Sequence, residues 1–139
     1  MTGKDVRIAA AIARFHGRAL DARYLGYFEC FNRQLFYEAH EVLEPLWLPQ
    51  RRGPKGAFYK GLIQLAGAFV HLAKNRLCPA AALFRLAGAN LGQYPETHDR
   101  LDVQAARLMI QEWLSKLEAA AFTINPLDAT RPPQLHLLD

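Results

Sequence analysis

The chain has a single serine, two cysteines and two methionines, and no apolar run reaches the roughly 18 residues that a membrane span needs. Each shortage closes a class of function. The lone serine, Ser115, stands beside Lys116 with no histidine nearby in sequence, so a serine nucleophile has no local base. Cys30 and Cys78 lie far apart, match no zinc or redox spacing and have no activating neighbour. They read as buried thiols in a reducing cytoplasm, with no disulfide expected. The first residues, Met1-Thr2-Gly3-Lys4-Asp5, lack the long apolar core of a signal peptide. A cytoplasmic protein with no membrane association is the expectation.

Charge of one sign is also scarce. The net charge is only +4, and Arg51, Arg52, Lys55 and Lys60 form the one basic cluster. No aromatic-interleaved basic patch accompanies it, so it reads as a solvated loop and nucleic acid is not an expected partner. The same segment precedes a helix start, where anions bind, but lacks the spacing of a Walker loop.

What is present is a sequence for one helical domain. Its 139 residues are 51% hydrophobic and 22% charged, enough to bury a single core. Almost every segment carries the 3.6-residue period, and no alternating run argues for strands. Thr2 and Asp5 resemble a helix start, with Ile8, Ile12, Phe15 and Ala19 as the apolar face. A second helix holds Leu25, Phe28 and Phe31, and Asn32 to Leu35 form a tight turn. The next helix runs from about Phe36 to Leu48, with Pro45 disturbing its last turn. After the polar loop 49–56, a long helix spans about Ala57 to Arg76. Pro79 suits the first position of another helix ending near Tyr94-Pro95, and Asp102 caps a last one through Ala121. The expected fold is all-α: a compact bundle of about five or six helices built from antiparallel helical hairpins. Residues 1–121 form the domain. Residues 122–139, with Pro126, Pro132 and Pro133, form an extended tail, docked on the bundle or reaching a second copy in a homodimer. The pairs Asn32-Arg33 and Asn75-Arg76, each followed by a small residue at matching distance, give a faint internal echo of stacked hairpins.

At about 100° per residue, Phe36, Ala39, His40, Leu43 and Trp47 share one face of the third helix. Glu44 lies at its border, one turn beyond His40, while Glu38 and Glu41 point more towards solvent. On the long helix, Gly61, Gln64, Ala68, His71 and Asn75 form a stripe of small and hydrogen-bonding residues between two apolar faces. A neighbouring helix can approach closely there. His40, Glu44, Gln64 and His71 are therefore expected to converge, with Trp47 and Tyr59 as walls and Asn90 as a further polar group.

Three readings of this cluster stay open. It is a buried polar network that fixes helix register, a pocket for a small ligand or a partner peptide, or a metal site. His40-Glu41-x-x-Glu44 resembles a zinc-protease helix, with Glu44 where the second histidine should stand. A divalent-metal hydrolase needs His40, Glu44 and His71 as ligands and Glu41 as base, and the angle count turns Glu41 away. The structural network is the reading that lone polar groups on apolar faces favour in general; among the functional readings binding leads, without a cofactor, and the alternatives are the metal hydrolase or a purely structural polar network in an assembly module.

Phe31-Asn32, Phe36-Tyr37-Glu38-Ala39-His40-Glu41-Val42-Leu43-Glu44, Trp47 and Gly61-Leu62-Ile63-Gln64-Leu65-Ala66 with His71 resemble the domain of unknown function 309 family, over roughly Leu25 to Leu117. The resemblance implies a small all-helical bundle with no established activity. It marks His40, Glu41, Glu44, Trp47, Gly61, Gln64 and His71 as motif positions without assigning them a role. Pro45 and Pro79-Ala80 depart from the family's pattern.

Overall fold

The computed structural model describes residues 3–13, 20–128 and 131–138. Among them are six α-helices: α1 (Gly3–Ala13), α2 (Ala22–Asn32), α3 (Phe36–Trp47), α4 (Gly56–Ala73), α5 (Leu77–Leu91) and α6 (Val103–Ala119). The protein is an all-α bundle. Thr2, Phe15 and Ala19, expected in the first helix, lie outside the described residues.

Helix α4 is the central rod. It packs against α3 on one side and α5 on the other, while α2 backs α3 and α6 backs α5. Its own residues explain the position, because it is apolar on nearly all sides and Phe58, Leu62, Leu65, Phe69 and Leu72 are fully buried. The ring of Phe69 lies 5.6 Å from Phe31, 5.0 Å from Phe36, 5.2 Å from Phe84 and 4.9 Å from Trp113. One aromatic side chain thus touches α2, α3, α5 and α6, mostly edge-on, the arrangement that ring quadrupoles favour. The Tyr27 hydroxyl donates to the Leu62 carbonyl at 2.6 Å, so this buried polar tip is satisfied.

Helix ends set the hairpins. α2, α4 and α6 each stop at a left-handed residue: Gln34 (φ 62°), Asn75 (φ 57°) and Ala121 (φ 50°). In each, two backbone N–H groups turn back onto the last carbonyls, as when Arg76 donates to His71 and Asn75 to Leu72. This cap ends α4 at Ala73, earlier than the expected Arg76, and α6 at Ala119. It also shows that Asn32 and Asn75 are not equivalent, because the counterpart of Asn75 is Gln34. Helix α5 begins at Leu77, two residues before Pro79, and stops at Leu91, short of Tyr94. Pro45 does not break α3, which runs to Trp47 and tightens into a 3₁₀ turn over Leu48–Gln50. Asp102 caps α6 by accepting from the Ala105 N–H at 2.9 Å.

Two features lie outside the helical expectation. Thr97–His98 (β1) and Leu101–Asp102 (β2) form a two-stranded antiparallel hairpin, pairing Thr97 with Asp102 and His98 with Leu101. Asp99 and Arg100 between them both have positive φ, the signature of a two-residue primed turn. The described tail, 131–138, lies on its own chain, with Leu137 pairing antiparallel with Leu101 and the Asn32 side chain bonding both backbone polar groups of Leu135. Of the two thiols, Cys30 is buried as expected, but Cys78 is exposed near the start of α5.

Candidate functional site

The buried face of α3 is rotated from the expected one. It runs through Phe36, Ala39, Val42 and Leu43 and continues to Glu38, which is only 7% exposed. Glu38 does not face solvent, because α1 packs there and Arg7 pairs with its carboxylate. His40 is correspondingly displaced to the opposite edge, with 30% of its side chain exposed. It is therefore not a sequestered core imidazole.

At that edge His40 keeps its expected neighbour. Nε2 lies 3.6 Å from Glu44 Oε2, and Nδ1 lies 3.4 Å from Glu41 Oε1. Glu41 thus stays close to the ring, despite the angle count. Nδ1 is shielded from solvent yet makes no hydrogen bond among the described residues. The Tyr37 ring stacks beside the imidazole, 6.3 Å between centroids and 21° between planes.

His40 opens onto a cavity of about 250 Å³ between α3, α4 and the first half of α5. Gln64 and His71 line it from α4, together with Lys60, and Ile63, Val70 and Leu83 supply its apolar surface. Gly67 creates part of the space, since a Cβ there would sit 3.1 Å from Leu83 Cδ1. Gln64 Oε1 accepts from Asn90 Nδ2 at 2.7 Å, which leaves the Gln64 amide N–H₂ as the free end of that side chain's hydrogen-bonding capacity. Burial, aided by the charges of Arg76 and Lys74, pulls His71 below the ordinary histidine value, so its ring is neutral at pH 7. Its Nδ1 is shielded and has no hydrogen-bond partner among the described residues.

Four expected members stand elsewhere. Glu44 is exposed and touches the site only through His40. Trp47 is no pocket wall; its ring carries Lys60 Nζ at 4.5 Å, a cation–π contact at the mouth side of α3. Tyr59 faces the other way, buried beside Tyr24 and Phe58, where burial and then Asp99 and Asp21 push its hydroxyl up to about 12. Gly61 is a packing position, because a Cβ would meet Leu91 Cγ at 3.0 Å and Asn90 Cβ at 3.2 Å. Among the described residues no group of three His, Cys, Asp or Glu is placed to hold a metal ion, so His40, Glu44 and His71 do not close into a ligand set.

A second polar cluster has no counterpart in the sequence reading. Lys55 Nζ meets Asp99 Oδ2 at 3.0 Å, and His98 Nε2 lies 3.8 Å from the same oxygen. The Tyr94 hydroxyl donates to the Pro54 carbonyl at 2.8 Å and accepts from the Phe58 N–H at 2.9 Å. These contacts clasp the loop before α4 to the hairpin. They also occupy Lys55, one of the four basic cluster residues.

Residues 24–83 match the family model of a domain of unknown function, DUF309. This segment is a DUF309 domain. Comparison with curated proteins and with solved structures finds no match. The matched segment stops at Leu83, short of the Leu117 to which the sequence resemblance extends. It nevertheless holds every residue that lines the His40 cavity, from Tyr37 to Leu83. The DUF309 domain therefore contains the whole pocket lining, and Asn90 braces it from outside. Among the described residues no helix is long and apolar enough to cross a membrane.

Proposed function

We propose that the cavity of the DUF309 domain binds a small polar ligand with a compact apolar body. The reading rests on one observation: His40, Gln64 and His71 come from two helices onto one open cavity, with an apolar surface and without satisfying one another. A purely structural network would be expected to close on itself and to exclude water. Here the ring of His40 is partly exposed, and the Gln64 amide is pre-set by Asn90. At about 250 Å³ the space sits just below the range of drug-sized pockets, so the ligand is a small molecule.

His40 and Gln64 supply directed hydrogen bonds, Lys60 and Tyr37 border the opening, and Glu44 and Glu41 orient the imidazole. The compartment that suits these residues is a reducing one, since Cys30 and Cys78 are both free thiols. The reading is tested by ligand-observed NMR with a set of small polar compounds against the whole chain and against Gly67→Val. That substitution fills the cavity beside Leu83 and leaves every polar group in place. Compounds that bind the natural chain and lose their signal with Gly67→Val support the pocket. Compounds that bind both chains alike place the ligand elsewhere.

A further inference from the structure

The His40 cavity carries an unmatched cation. Lys60 lines it from α4, half-buried, with its ammonium 4.5 Å from the centre of the Trp47 ring. That contact holds the charge in place without neutralising it. Among the described residues no carboxylate comes within ion-pair distance of Lys60, and no aspartate or glutamate belongs to the cavity lining. His40 differs in this respect. Glu41 and Glu44 stand 3.4 Å and 3.6 Å from its two ring nitrogens, so a proton taken up there meets its countercharge. His71, held below the ordinary histidine value by its burial, is neutral at pH 7. The cavity therefore presents one uncompensated positive charge.

The charge has a neighbour of matching chemistry. Gln64 follows Lys60 by one helical turn, so the ammonium and the free Gln64 N–H₂ leave α4 from one face, and both are donors. Gly67 and His71 continue the same row. Ile63, Val70 and Leu83 surround the space that Gly67 leaves open. Read along α4, the face offers two donors, then an apolar hollow, then a neutral imidazole. An amine meets no carboxylate in this lining, and a neutral amide leaves the ammonium unpaired. A carboxylate bonds both donors at once and sends its hydrocarbon into the hollow. One negative charge is all that Lys60 balances, and about 250 Å³ of space keeps the hydrocarbon short.

We infer that the ligand of the His40 cavity is a short aliphatic monocarboxylate, its carboxylate held between Lys60 and Gln64 and its hydrocarbon end against Ile63, Val70 and Leu83. The inference rests on the binding reading above, to which it adds the charge and the orientation of the ligand.

The test titrates the full chain with isocaproate, isocaproamide and isopentylamine, which share a branched shape and differ in charge, followed by ligand-observed NMR. Isocaproate should bind about tenfold more tightly than the amide, the difference expected of a hydrogen bond to a charged group. Lys60→Gln should erase that difference while the amide, as the internal control, binds as before. Added salt should weaken the acid and spare the amide, a reading on the natural chain that needs no variant. Gly67→Val should abolish the binding of both. An amide or amine that binds as tightly as the acid, and is lost with Gly67→Val, overturns the carboxylate and leaves the pocket standing. Isocaproate that binds Lys60→Gln undiminished overturns it as well. Isocaproate that binds the Gly67→Val chain undiminished sits elsewhere and overturns the inference together with the binding reading. Absence of isocaproate binding to the natural chain overturns the carboxylate alone, because the pocket is judged by the wider set of small polar compounds.

Discussion

Asn90 holds Gln64 by a 2.7 Å bond from its amide to the Gln64 carbonyl oxygen, joining α5 to the central helix beside the pocket. That contact decides which end of Gln64 remains for a ligand. Asn90→Ala should cost about 1 kcal/mol of stability, the usual net value of such a bond, measured by urea unfolding. It should also weaken any ligand of the pocket several-fold, because the amide is then free to rotate. Unchanged ligand affinity in the variant would remove Gln64 from the binding surface.

Glu38 and Arg7 give a different kind of prediction. The carboxylate is buried and the guanidinium is largely exposed. Removing Arg7 leaves a buried charge without its partner, whereas Glu38→Gln removes the charge itself. Arg7→Ala should therefore destabilise by about 2–3 kcal/mol, and Glu38→Gln by less. Equilibrium denaturation of the two single variants, side by side, checks the order.

His71 links stability to pH. Burial and the nearby Arg76 and Lys74 hold its folded value below the ordinary 6.5. The unfolded chain then binds more protons than the folded one just below pH 6.5, so stability is complete above that value and falls as the pH drops through it. His71→Gln should flatten this part of the stability profile, as read by thermal melts between about pH 5 and pH 7. A profile identical to that of the natural chain would show that the ring titrates freely.

Ala121 closes α6 with φ 50°, a conformation in which its Cβ crowds the carbonyl. Ala121→Gly should raise stability by up to about 1 kcal/mol, seen as a higher Tm, since glycine adopts this cap without that crowding. Gln34→Gly should act in the same direction at the end of α2.

The helices were legible because their apolar residues repeat with the helical period, and Asp102 because a capping residue precedes such a run. The stripe carrying Gln64 and His71 on α4 could be read in the same way. The rotation of α3 could not. Hydrophobicity places Glu38 outside, and only the packing of α1 with Arg7 makes a carboxylate tolerable on the inside. Tyr59 and Trp47 were misplaced for a related reason: aromatic residues near a stripe say nothing of which neighbour claims them. The hairpin strands are two residues each, too short for alternation to register. The seat of the tail depends on Asn32, whose amide gives no sign in the sequence of what it grips.

The Asn32–Leu135 bond spans 103 positions of chain. Most other packing in the bundle joins helices that follow one another, contacts that form quickly because little loop must be closed. On a ribosome, α2 and α3 can pair long before the segment around Leu135 has been synthesised, so the Asn32 amide stays open until that segment follows.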